Sequence, residues 1–179
     1  MKQLFILDAH NYDGIEEVVL RQTVRGIIFD DGKLWLVQSK FGEVKLPGGA
    51  LEEGENDQDA LIREIKEELG RNVIVDSIKE FGYVDEKRKS NHDNYIFHQI
   101  NRLYFCKVTD EIGKKHWTKK ERRYGMHVVK LTVDEAISIN RRILYKEHRN
   151  KTRYNQREYK TMVAIKQYLE EHPELVDNK

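Results

Sequence analysis

The sequence predicts an α+β domain. Three observations point there. Strand-like segments with apolar alternation fill most of the chain up to Leu131, one amphipathic helix interrupts them between Asp57 and Gly70, and two further helical stretches finish the chain. Proline occurs only at Pro47 and Pro173, and there are no repeats or low-complexity tracts, so residues 1–179 read as a single domain. A chain of 179 residues is long enough to bury a real core.

Taken in order, residues 3–7 and about 17–29 read as strands, Asp30-Asp31-Gly32 as a hairpin turn, and Lys33 to Ser39 as the returning strand. Leu46-Pro47-Gly48-Gly49 is a rigid turn followed by two residues without a Cβ, so its backbone can approach a metal or phosphate closely. Asp57 is a candidate N-cap for the helix that follows. Leu61, Ile62, Ile65 and Leu69 give it an apolar stripe, and Gly70 is placed to end it. Val73 to Val84 and Tyr95 to Thr109 read as long strands joined by the polar run Asp85 to Asn94, which is expected to be a mobile loop or an inert surface hairpin. Residues 110–125 are a second polar loop, and Met126 to Leu131 a short strand. Thr132-Val133-Asp134-Glu135 is a capping-box start for a helix to about Lys146. A last helix over about 155–171 carries Tyr159, Met162, Val163, Ile165 and Leu169 at helical spacing, a stripe suited to core packing or a dimer face.

The first helix holds the chemistry. Glu64, Glu67 and Glu68 are spaced i, i+3, i+4 and project from one face, with Arg63 beside them. Like charges at that spacing repel by a few tenths of a kcal/mol per pair. A lone Glu-x-x-Glu-Glu is usually a solvated surface, but here it stands behind a glycine-rich loop. A bound cation would offset the repulsion, and oxygen-only ligands favour a hard one, Mg²⁺ or Mn²⁺.

The stretch from Gly49 to Arg71 resembles the Nudix box, G-x5-E-x7-R-E-U-x-E-E-x-G-U, where U is aliphatic. Gly49, Glu55, Arg63, Glu64, Ile65, Glu67, Glu68 and Gly70 fall on the pattern, and Arg71 departs from it at the final U. The resemblance to these MutT-like proteins implies an α/β/α sandwich, with a mixed sheet, the box helix on one side and later helices on the other. It implies that Glu64, Glu67, Glu68 and the Gly48 carbonyl bind metal, that Arg63 orients the carboxylates, and that Gly49, Glu55 and Gly70 shape the loop and helix. It further implies hydrolysis of a nucleoside diphosphate linked to a moiety X, by water attack on phosphorus, with Glu64 or Glu68 as the first choice of general base and Glu121 as the second. Glu121, in the loop before the last strand, is also expected as an extra metal ligand.

Composition bounds the rest. The formal net charge is +1, with 39% hydrophobic and 35% charged residues. Residues 43–68 hold nine acidic and three basic side chains, whereas 114–130 hold seven basic and one acidic. An acidic cradle with basic walls suits a phosphate ester. Arg21, Thr23 and Arg25 alternate on one strand face, from which Arg25 could bind a phosphate, and Trp117 could stack on a base. His98 reads as a satisfied strand histidine, and the single cysteine, Cys106, as a buried thiol. No apolar run is long enough to span a membrane, no signal-peptide pattern opens the chain, and a cytoplasmic location is expected. A small-molecule nucleoside diphosphate derivative is the expected partner, and a homodimer is compatible with the last helix. The near-zero net charge disfavours nucleic acid. The alternatives are an RNA 5′-end pyrophosphohydrolase and a non-catalytic Nudix-fold nucleotide-binding or regulatory domain. Neither the ADP-ribose-type proline nor the dinucleoside-polyphosphate-type tyrosine follows the box, and the coenzyme A-type signature is absent upstream, so X stays open.

Overall fold

The structure, a computed structural model, describes residues 1–146 and 152–176. The chain runs β1 (Gln3–Asp8), β2 (Val18–Ile27), β3 (Phe29–Asp30), β4 (Lys33–Gln38), β5 (Val44–Lys45), α1 (Asp57–Leu69), β6 (Val73–Lys89), β7 (Ile96–Val108), α2 (Lys119–Arg123), β8 (His127–Leu131), α3 (Val133–Lys146) and α4 (Thr152–Glu171). A short 3-10 turn, Pro173–Leu175, follows α4.

The main sheet is mixed, in the order β1-β6-β7-β2. Its central pair β6–β7 is antiparallel, and each outer strand runs parallel to its neighbour. Side-chain alternation along β7 divides the core in two. Leu103 and Phe105 face a cluster with Met162 and Ile165 of α4, while Tyr104 and Cys106 face a cluster with Leu61, Ile65 and Leu69 of α1. The expected layering, box helix on one side and later helices on the other, is thus present. A second, smaller sheet made by β4 with β3, β5 and β8 was not foreseen. Its short β5 leads into the glycine loop, so the loop is strung between the two sheets.

Two local expectations change. Asp57 does not cap α1: Asn56 does, its side chain accepting from the Asp59 amide at 2.9 Å. Asp57 is instead the first helical residue, and its carboxylate meets Arg102 at 3.2 Å and the Tyr104 hydroxyl at 2.5 Å. The polar run Asp85 to Asn94 is not a loop over its first half. Strand β6 continues to Lys89, and only residues 90–95 form the turn. The physical reason is cross-strand and interlayer charge pairing. Asp85 meets His98 at 2.9 Å, Glu86 meets Arg157 of α4 at 2.7 Å, and Arg88 lies over the Phe97 ring. Helix α4 starts at Thr152, earlier than expected, and its stripe packs in the core: Met162 and Ile165 are fully buried. The capping box at Thr132 and Glu135 is present as read, and Gly70 ends α1 in a left-handed conformation.

Candidate functional site

The site forms where the 46–50 loop crosses the edge of β2 and meets the exposed flank of α1. The loop is fixed by backbone bonds, Gly26 N–H to Pro47 O and Val24 N–H to Gly49 O, both 2.9 Å. Gly48 has φ +131°, and a Cβ there would lie 2.2 Å from the Val24 carbonyl oxygen, so only glycine fits. A Cβ on Gly49 would lie 2.2 Å from Glu64 Oε1. The Glu64 carboxylate therefore rests directly on the glycine backbone.

Arg63 links the loop to the acidic helix. It clamps Glu55 with two 2.8 Å bonds, donates to the Ala50 carbonyl at 3.0 Å, and meets Glu64 Oε1 at 2.9 Å. The Arg63 bonds hold the Glu55 carboxyl below the usual range, against a smaller opposing effect of burial. Burial pushes the Glu64 carboxyl up. Arg63 opposes that rise, and repulsion from Glu68 adds to it.

Glu68 is buried, at 2% exposure, and turned toward the loop. The Gly48 amide donates to its Oε2 at 2.7 Å, and Lys45 Nζ to its Oε1 at 3.1 Å. The Gly48 carbonyl, an expected metal ligand, accepts from the buried Arg25 guanidinium, which also reaches the Leu46 carbonyl at 3.3 Å. Arg25 is therefore neither on a solvent-facing edge nor free to clamp an external phosphate in this arrangement; it braces the loop. Glu67 is the most open of the three helix carboxylates, 38% exposed, with Arg63 at 3.8 Å.

Among the described residues no three carboxylate, imidazole or thiol groups converge as a ready metal cage. Arg63 lies near both Glu64 and Glu67, and Lys45 is paired with Glu68. The donor chemistry nonetheless fits a hard divalent ion. Glu64, Glu67, Glu68 and the Gly48 carbonyl supply only oxygen, and three of these groups already hold a positive side chain: Arg63 on Glu64, Lys45 on Glu68 and Arg25 on the Gly48 carbonyl. Glu121 has a different engagement. It forms a capping box at the start of α2, accepting from the Thr118 amide at 2.8 Å and hydroxyl at 2.9 Å.

Sequence reasoning missed Lys45 and Asn140. Lys45 carries a readable signal, since it is a lysine in an otherwise apolar stretch, Val44 to Pro47, leading into the glycines. Asn140 of α3 is fully buried and grips the backbone of Val44 both ways, accepting from its N–H at 3.0 Å and donating to its carbonyl at 2.9 Å. Arg71, the departure from the box, donates to the Thr109 carbonyl at 2.8 Å and lies over the Trp35 ring, so the aliphatic position becomes a stacking one. His98 is satisfied by Asp85, and Cys106 is buried and free.

The sequence model of the NUDIX domain matches residues 19–153. The chain belongs to the Nudix family. Among related Nudix proteins, the nucleoside triphosphatase NudI of Enterobacter sp. (strain 638) is 35% identical over 63 residues, 35% of this chain and 45% of that protein. NudI of Escherichia coli O139:H28 is 29% identical over 90 residues, 45% of this chain and 64% of that protein. These matches thus span less than two thirds of the relatives' own length. The Nudix fold is shared with a NUDIX hydrolase from Nitrosomonas europaea (18% identity, TM-score 0.52, covering 79% of this chain and 88% of that one). A structure described as ADP compounds hydrolase shares it too (16% identity, TM-score 0.54, 85% and 74% covered). Nudix domains generally use divalent metals, in keeping with the oxygen donors on α1. No helix among the described residues is long and apolar enough to cross a membrane.

Proposed function

We propose that this Nudix protein is a pyrophosphohydrolase, cleaving a phosphoric anhydride bond in a nucleoside diphosphate derivative. The observation that carries the reading is the paired engagement of Arg63 with Glu55 and Glu64 and of Glu68 with the Gly48 amide, which fixes oxygen donors on both sides of the glycine loop. The relatives named nucleoside triphosphatase support an anhydride substrate.

Glu64, Glu67, Glu68 and the Gly48 carbonyl would hold Mg²⁺ or Mn²⁺, which when bound neutralises phosphate charge and activates water. The protein's own residues do the rest. Arg63 keeps Glu64 against the loop, and Glu55 keeps Arg63 in place. Water forms the new bond to phosphorus as the bridging P–O bond breaks, and its proton passes to a carboxylate. Glu64 is the first candidate for that base, because its carboxylate is more open than that of Glu68.

The test is a panel of nucleoside triphosphates, NDP-sugars, ADP-ribose and dinucleoside polyphosphates, assayed with Mg²⁺ and with Mn²⁺ for phosphate products. The wild-type protein should turn over at least one class, and Glu64→Gln and Glu68→Gln should each remove turnover while the circular dichroism spectrum is kept. Near wild-type rates in both variants would sink the proposal. Binding without turnover in the wild type would favour the non-catalytic alternative.

A further inference from the structure

One edge of the main sheet is open among the described residues. Strand β2 closes the sheet, with β7 on its inner side. Its outer side is covered from Gln22 onward. There the glycine loop lies along it, Leu51 N–H donating to Gln22 O at 3.1 Å and Val24 N–H to Gly49 O at 2.9 Å. Before Gln22 three apolar side chains stand in solvent, Val18 at 54%, Val19 at 39% and Leu20 at 53% exposure. Bare apolar edges invite pairing with another strand, and proteins commonly block them with lysine, proline or a bulge. The segment Glu17-Val18-Val19-Leu20-Arg21 has no lysine or proline, and from Val18 its register with β7 is unbroken.

The backbone sets which residues can pair there. Odd-numbered residues turn their polar groups toward β7, as Glu17 O does in accepting from Ile96 N–H at 2.7 Å. Even-numbered ones turn outward, as the Val24 and Gly26 amides do toward the loop. Val18 and Leu20 therefore present N–H and C=O groups at the open edge.

The limits of the window fix a register. The loop bars the edge from Gln22 onward and β2 begins at Val18, so the usable segment is Glu17 to Arg21, with Val19 at its middle. Two copies related by a two-fold axis meet antiparallel about Val19. Val18 then falls opposite Leu20 of the second copy, and these outward-facing residues can exchange both hydrogen bonds. Glu17 falls opposite Arg21 of the second copy, on the same face of the sheet, and symmetry makes the pair twice. Within one chain the two are about 13 Å apart along the extended strand, too far to pair with each other. Arg21 would gain by the added carboxylate. Partial burial and the Arg25 and Arg157 cations push its guanidinium down, against the pull of Glu64 and Glu86.

We infer that this chain forms a two-fold homodimer by antiparallel pairing of its β2 edges, centred on Val19 and closed at each end by a Glu17–Arg21 ion pair. A second copy is the occupant because one register satisfies hydrogen bonding, apolar contact and charge together. The apolar stripe of α4, the other candidate for a dimer face, is committed to the core, with Met162 and Ile165 fully buried. Such pairing requires no turnover and stands whether or not the protein is a hydrolase.

Cysteine cross-linking of the full chain reads the register. Facing residues that share no hydrogen bond in an antiparallel pair have Cα atoms about 4.5 Å apart, a span a disulfide can bridge. Val19→Cys should therefore link to itself in a glutathione redox buffer and run as a dimer on a non-reducing gel. Leu20 lies diagonal to its own copy, so Leu20→Cys should link at least about tenfold more slowly. Cys106 is buried and does not compete. Equal or faster linking of Leu20→Cys would overturn the register, and no linking of either variant would overturn the pairing.

Sedimentation equilibrium reads the charges. The wild type should show a monomer–dimer equilibrium between about 1 and about 200 µM, the weak affinity of a short ladder. Glu17→Arg and Arg21→Glu should each raise the dissociation constant about tenfold. Glu17→Arg/Arg21→Glu exchanges the charges and should return it to within about threefold of wild type. Both positions are exposed, so the circular dichroism spectrum should be kept in all three variants. Failure of the double variant to recover would overturn the ion pairs. A wild type that stays monomeric throughout would overturn the dimer and leave the edge to a strand from a different protein.

Discussion

Lys45 Nζ stands 3.1 Å from Glu68 Oε1, with both side chains nearly closed to solvent. A buried ammonium thus occupies one oxygen of the carboxylate that the family pattern assigns to metal. A metal ion bound there would have to compete with a cation that the protein carries covalently.

Replacing Lys45 by Met should reveal that competition. Glu68 would keep only the Gly48 amide, and removing one partner of a buried pair costs about 3 kcal/mol or more. Urea denaturation in EDTA should show that loss, whereas added Mn²⁺ should restore much of it. Electron paramagnetic titration should find tighter Mn²⁺ binding than in wild type. Weaker Mn²⁺ binding would mean that Lys45 shapes the site rather than competing for it.

Gly49→Ala tests the contact between loop and carboxylate. The added methyl would meet the end of a side chain, which can move, so the fold should survive with little change in urea midpoint. Glu64 would be displaced, and a displacement of about 1 Å at a reacting group costs on the order of a hundredfold in rate. Turnover should fall by roughly that factor. Turnover near wild type would show that the position of Glu64 is not limiting.

Asn140→Ala removes both bonds to Val44 and leaves a buried N–H and C=O unsatisfied. The expected cost is about 3 kcal/mol, read from chemical denaturation with an unchanged slope. Because Val44 begins the strand that feeds the glycine loop, kcat should fall as well, although Asn140 touches no box residue. Asn140→Asp should not rescue, since it lacks the amide donor.

Cys106 should be chemically quiet. Burial pushes its thiol up to about 12, so it stays protonated in the folded protein well above pH 9. Ellman's reagent should label it only at the rate at which the core opens. The unfolded chain ionises its thiol near the ordinary value of 9.0 while the folded one does not, so this group's contribution to stability falls as pH rises from about 9 toward 12. Replacement by Ser should flatten the alkaline limb of a stability–pH curve. An unchanged limb would show that other groups set it.

The box was legible in the sequence because its residues act within one helix and the loop before it, where spacing fixes geometry. The same holds for the Thr132–Glu135 cap. What was not legible depends on partners distant in the chain. The run Asp85 to Lys89 looked like a loop because its charges had no visible counterpart. Arg157, which meets Glu86 at 2.7 Å, is 71 residues away. Asn140 and Val44 are 96 residues apart, and Lys45 reaches Glu68 across 23. Glu121 is the opposite case. Thr118-x-x-Glu121 is a local capping box, legible from its spacing alone.

The bonds from Gly113 and His116 to the end of the box helix bear on how such a protein can change over generations. They use main-chain atoms only, so they constrain the path of the loop and leave its side chains open. Substitutions at positions 114, 115 and 117 remove neither of these main-chain bonds, Gly113 N–H to Gly70 O and His116 N–H to Glu67 O. The side chains beside the acidic helix can then vary by single exchanges, while the end of that helix stays held.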